Sequence, residues 1–169
     1  MKRKISYLDL FQTIAIVFGI CYGVLELNQL KEETSRQAAA EVARWFQTPE
    51  LLEGMFAALA IPDHASPEQI RESLDGREEL LWNVGIVLES VGVLVWRGDL
   101  DLRLVDDLAG GGIIVFWEKT KPLWVSLREE MNRPSTMEWT QWLAERLVEL
   151  PTVSEAPAHE AYRDWTPPG

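Results

Sequence analysis

No charged residue stands between positions 10 and 25, LFQTIAIVFGICYGVL, a run closed by Asp9 and Glu26. At about 1.5 Å rise per residue, a helix of this length covers roughly 24 Å, just short of the ~30 Å hydrocarbon core of a bilayer. A cleaved signal peptide would share the basic start Lys2-Arg3-Lys4 but would end in small residues. Val24-Leu25-Glu26-Leu27-Asn28 offers no such site. The pattern predicts a basic tail over 1–9 and an uncleaved transmembrane helix over 10–26, with a buried helix of a soluble domain as the competing reading. Within the run, Ala15, Gly19 and Gly23 recur every four residues and so share one helix face. Small residues at that spacing let two helices approach closely, which predicts a homo-oligomer seam.

Downstream, the hydrophobic spacing becomes that of amphipathic helices. Residues 27–47 are polar and rich in strong helix formers, and nothing interrupts them before Pro49, which predicts a helical stalk. Leu27 and Leu30 begin a seam that Thr34, Gln37 and Glu41 fail to continue, so a long coiled coil is not expected. Residues 48–151 read as one helical domain. Thr48-Pro49 and Ser66-Pro67-Glu68-Gln69 are helix starts by the cap-then-proline pattern. A longer helix is expected from Arg77 to Trp96, stopped by Arg97-Gly98, and a helix capped by Asp99 or Asp101 should end at Gly110-Gly111-Gly112. Another spans Ile113 to Asn132, bent or split by Pro122, and a capping box at Ser135-Thr136-Met137-Glu138 opens the last, which Pro151 ends. The tail 152–169, rich in Pro, Ala and Glu, reads as disordered. The fold class is therefore all-α: a transmembrane helix continuing into a stalk, then a small helical bundle.

Charge narrows the partners. From Lys31 onward there are 13 Lys/Arg against 25 Asp/Glu, with no basic patch, which argues against nucleic acid. The single cysteine, Cys21, rules out an intramolecular disulfide and a cysteine zinc site. His64 and His159 stand alone, and Asp99, Asp101, Asp106 and Asp107 miss the glycine and the bidentate Glu of a calcium loop, so no metal or cofactor is expected. Gly110-Gly111-Gly112 lacks the Lys-Ser/Thr of a phosphate loop.

Two features carry chemistry. Glu89 is the only charge in IVLESVGVLVW (86–96), an apolar-sided stretch that should be buried, and Gly85 and Gly92 flank it on one face where a neighbouring helix can come close. Trp117, Lys121, Trp124 and Arg128 follow at helical spacing and share a stripe, which makes Arg128 the expected ion-pair partner of Glu89 and Trp117 and Trp124 the lining of a possible groove.

The segments VGIVLESVGVLVWRGDLDLRLVDDL (84–108), GGIIVFWEKTKPLWVSLREE (111–130) and EWTQWLAER (138–146) resemble a family of uncharacterised bacterial single-pass membrane-anchored proteins, a domain of unknown function. The resemblance implies one transmembrane helix with a helical domain, marks Glu89, Gly92, Gly98, Trp117, Glu118 and Arg128 as characteristic, and implies no activity. The resemblance also implies a basic stretch after the span that would usually keep the domain in the cytoplasm; Leu30-Lys31-Glu32-Glu33 departs from it, which leaves the side of the domain undecided, while the dense Lys2-Arg3-Lys4 cluster favours an N-terminus inside. The expected role is that of an interaction or scaffold protein at the bacterial cell membrane, with the lipid bilayer and an unidentified protein as partners. The alternatives are a module binding a small ligand or a helix in a Trp-lined groove, and an enzyme using Glu89 or Glu118.

Overall fold

The computed structural model describes residues 7–150 and 158–167; within the first helix it leaves out the side chains of 7–15, 17, 19, 21, 28, 31, 32 and 34. Every element among the described residues is helical. The order is α1 (Tyr7–Trp45), α2 (Pro49–Ala60), α3 (Pro67–Leu74), α4 (Glu79–Arg97), α5 (Leu102–Glu130), α6 (Glu138–Glu149) and α7 (Ala158–Ala161). The tail segment expected to be disordered lies partly outside the described residues, and α7 is a single exposed turn within it.

Helix α1 is continuous from the apolar run through the polar stretch, about 58 Å at the usual rise. Ile16, Phe18, Ile20, Tyr22, Val24 and Leu25 are all exposed, Phe18 at 75 %. At 100° per residue these six side chains spread over about two thirds of the helix circumference, with the exposed Glu26 in the remaining sector. Among the described residues its end packs on the domain: Val42 is fully buried, and Ala38, Ala39, Trp45 and, in the turn to α2, Phe46 pack against the same core.

The domain is a ring in which α2 packs on α4, α4 on α6, α6 on α5 and α5 back on α2, with α3 laid against α5. Its centre holds Leu51, Leu81, Leu88, Ile113, Phe116, Leu123, Trp124 and Leu143. Helix α4 is apolar enough to cross a membrane by length and composition, with a mean hydropathy of 1.5. Its place in the ring accounts for that: Leu80, Leu81, Val84, Leu88 and Val91 fill the core toward α2 and α6. Gly54 of α2 gives way to α4, since a Cβ there would collide with the Leu80 carbonyl.

Several terminators act as their chemistry dictates. Ser66 and Gln69 form a reciprocal capping box, the Ser66 N–H donating to Gln69 Oε1 at 2.8 Å. Asp101 caps α5, its Oδ1 accepting from the Arg103 N–H at 2.7 Å. Gly98 takes the left-handed conformation (φ 75°) that ends α4.

Helix α5 departs from expectation. It runs unbroken through Gly110-Gly111-Gly112 and through Pro122, where a break and a bend or split were expected. Three glycines and an internal proline each weaken an isolated helix by about 1 and 3 kcal/mol. Tertiary packing outweighs that, because Val105, Ile113, Phe116, Trp117, Thr120, Leu123 and Trp124 all bury on the same long helix. Gly112 also has a packing reason, as a Cβ there would stand 3.3 Å from Met55 Cε of α2.

Candidate functional site

The sequence features singled out around Glu89 converge on the start of α6. The chain reaches α6 through Met137, a left-handed residue (φ 56°) with a buried side chain. A β-carbon on Gly85 would lie 2.6 Å from both Sδ and Cε of Met137, so the glycine leaves the notch that side chain fills. About two turns along, a β-carbon on Gly92 would lie 2.7 Å from the Trp139 carbonyl oxygen. Between the two glycines, Glu89 Oε1 accepts from the Thr140 backbone N–H at 2.6 Å.

Thr140 is the third residue of α6, the position whose N–H a capping side chain normally serves. The local capping box expected at Ser135-Thr136-Met137-Glu138 does not form. Thr136 Oγ1 instead donates to the Arg133 carbonyl at 3.0 Å, and Met137 has no side chain able to cap. Glu89 thus caps α6 from the neighbouring helix, its negative charge facing the positive end of the α6 dipole. Thr140 Oγ1 adds a bond to the Gly85 carbonyl at 3.2 Å.

Arg128 grips the same segment from α5. Its Nε donates to the Thr136 carbonyl at 2.8 Å, Nη2 to the Met137 carbonyl at 3.2 Å and Nη1 to Gln141 Oε1 at 2.8 Å. Its guanidinium also lies 5.9 Å from the Trp117 ring centroid. The expected Glu89–Arg128 ion pair is replaced by this division: the carboxylate takes an amide proton and the guanidinium takes carbonyls of one turn. Helix polarity explains it, since N–H groups and the carbonyls before them demand opposite charges.

The tryptophan stripe divides as well. Trp124 is fully buried, its Nε1–H donating to Thr120 Oγ1 at 2.9 Å, with Trp82 edge-on at 5.0 Å between centroids. It belongs to the core and lines no groove, contrary to expectation. Trp117 does line a cleft of about 310 Å³ between α5 and α6, beside Ile114, Ala144 and Val148, with Glu118, Glu145 and Glu149 at its edge against Lys121 alone. Glu89 lines a different cleft, with Trp45, Val93, Leu94 and Trp139. Glu89 and Glu118 therefore share no site at which paired carboxylates could act on one substrate.

Sequence reasoning overlooked Trp45 and Lys119. Trp45 and the adjacent Phe46 are the aromatics that close the polar stretch, and that contrast was their signal. Lys119 Nζ donates to the Ile61 carbonyl at 2.7 Å and meets Asp63 Oδ1 at 2.6 Å, tying α5 to the end of α2; nothing in the local spacing marked it. The hydrogen bond and charge of Lys119 hold the Asp63 carboxyl below its ordinary value. Of the proposed helix-packing face, Gly23 has open space where a β-carbon would stand, while the side chains of Ala15 and Gly19 fall outside the described residues.

No curated protein and no solved structure matches the chain. The profile of one family, the domain of unknown function DUF4760, matches residues 13–147, which take in most of the first helix, the Glu89–Thr140 cap, Arg128 and Trp117. On that match the chain belongs to the DUF4760 family.

Proposed function

We propose that the protein is a single-pass membrane-anchored interaction protein that holds an acidic helical domain away from the bilayer on a helical stalk. The observation that carries this reading is the exposed apolar surface that Ile16, Phe18, Ile20, Tyr22, Val24 and Leu25 present along α1. Monomeric proteins in water rarely leave so large a contiguous apolar surface exposed. Full burial of a large aliphatic or aromatic side chain is worth about 1.5–3 kcal/mol, so six of them favour a lipid environment by on the order of 10 kcal/mol. The Lys2-Arg3-Lys4 cluster favours a cytoplasmic N-terminus.

The cleft between α5 and α6 suits the interaction role. Its Trp117 wall and acidic edge fit a partner presenting apolar and basic side chains together, and its shape supports the reading of a Trp-lined binding module more than it supports an enzyme. Extraction of bacterial membranes with alkaline carbonate tests the anchor. The chain should stay with the membranes, whereas Ile16→Asp combined with Ile20→Asp should release it, since an Asp at mid-span costs about 3 kcal/mol. Recovery of the unaltered chain in the soluble fraction would refute the reading.

A further inference from the structure

The cleft that Glu89 lines has a second use that capping α6 does not exhaust. It measures about 500 Å³ and is walled by Trp45 at the end of α1, Glu89, Ser90, Val93 and Leu94 of α4, and Trp139 of α6. Trp139 continues into an aromatic cluster, with Trp96 at 5.2 Å and Trp142 at 5.9 Å between ring centroids. Among the described residues, Glu89 Oε1 accepts from the Thr140 N–H, and no Lys, Arg or His pairs with this carboxylate. A carboxylate that lines one cleft with two indole rings and apolar side chains is the chemistry that selects an organic cation over a hydrated metal ion, because the rings attract the charge while the hydrocarbon around it is desolvated.

We propose that this cleft binds a small organic cation of the alkylammonium class, its nitrogen seated against Glu89 between Trp45 and Trp139 and its hydrocarbon on Val93 and Leu94. Because Trp45 ends the stalk while Glu89 and Trp139 belong to the domain, occupancy straps α1 to α4 and α6. The site stands independently of the anchor reading.

The test is calorimetric titration of the full-length chain in detergent with choline, and with dimethylbutanol, the neutral isostere in which carbon replaces the nitrogen. Choline should bind saturably and the alcohol at least about tenfold more weakly, the loss of a cation–π and ion-pair attraction together. Glu89→Gln keeps an oxygen for the Thr140 N–H but removes the charge, and should weaken choline about tenfold. Trp45→Leu lies outside the α4–α6 contact, so it leaves the cap intact, and it should weaken choline by a similar factor. Equal binding of the two probes, absence of saturable choline binding to the unaltered chain, or undiminished binding by Trp45→Leu would each overturn the proposal.

Discussion

At the scale of single residues, the α4–α6 contact separates two glycines that look alike in sequence. A methyl at Gly85 meets the far end of a flexible methionine, which can turn aside. A methyl at Gly92 meets the Trp139 backbone, which cannot move without shifting α6. Gly92→Ala should therefore destabilise by about 2–3 kcal/mol and Gly85→Ala by about 1 kcal/mol, overpacking being the cost in each case. Urea denaturation of the two variants checks the order. Glu89 offers a matched comparison. Glu89→Ala leaves the Thr140 N–H without its acceptor and should cost about 1–2 kcal/mol, the size of a lost N-cap, while Glu89→Gln should cost less because an amide oxygen replaces the carboxylate. In a double-mutant cycle with Arg128→Met, the two sites should be non-additive through the turn they share, although the side chains form no ion pair with each other.

At the scale of elements, α5 shows where local pattern and packing part company. A methyl added at Gly111 would meet nothing within 4 Å, so Gly111→Ala should stabilise the helix by about 0.5–1 kcal/mol, read as a rise in melting temperature. The helical class, the capping box at Ser66, the caps at Asp101 and Gly98 and the close-approach face of Gly85 and Gly92 were all legible, since each depends on residues a few positions apart. The unbroken course of α5 was not, because it depends on burial against α2 and α6, which proline and glycine propensities do not contain. Nor was the cap of α6. The Ser135–Glu138 pattern is a sound local signal, but a carboxylate 51 residues earlier in the chain serves that helix. Glu89 and Arg128 were read as a buried ion pair, whereas both are half-buried and each is met by the start of α6 rather than by the other.

The α3–α5 contact carries its own pH dependence. Arg71 Nη2 donates to Glu130 Oε1 at 2.7 Å and Oε2 at 2.9 Å, and Ser126 donates to the same carboxylate. The Ser126 bond first, then Arg71, holds the Glu130 carboxyl below its ordinary value of 4.5. A carboxyl lowered on folding stabilises the fold fully above its unfolded value, and that contribution disappears as pH falls through the lower folded value. The melting temperatures of the chain and of Glu130→Gln should thus differ by a constant amount above pH 4.5 and converge below it. The difference should be small, because the pair is solvent-exposed and screened.

At the scale of the whole molecule, the junction between α1 and the ring governs how the domain is presented. Val42 is the fully buried residue there, and Ala38, Ala39, Trp45 and Phe46 only partly cover the same patch. The ring closes on itself through α2, α4, α6 and α5, and Val42 is the fully buried residue that α1 adds to its core. Val42→Asp places an unpaired carboxylate in that patch, a cost of several kcal/mol that detachment of the helix end relieves by returning the charge to water. Detachment should leave the ring folded. Hydrogen exchange is the measurement that separates the two levels: amides of 42–48 should exchange far faster in Val42→Asp, while those of α4 around Leu81, Leu88 and Val91 keep their protection. Loss of protection in α4 as well would mean that stalk and ring form one cooperative unit, and that the domain needs the end of α1 to fold.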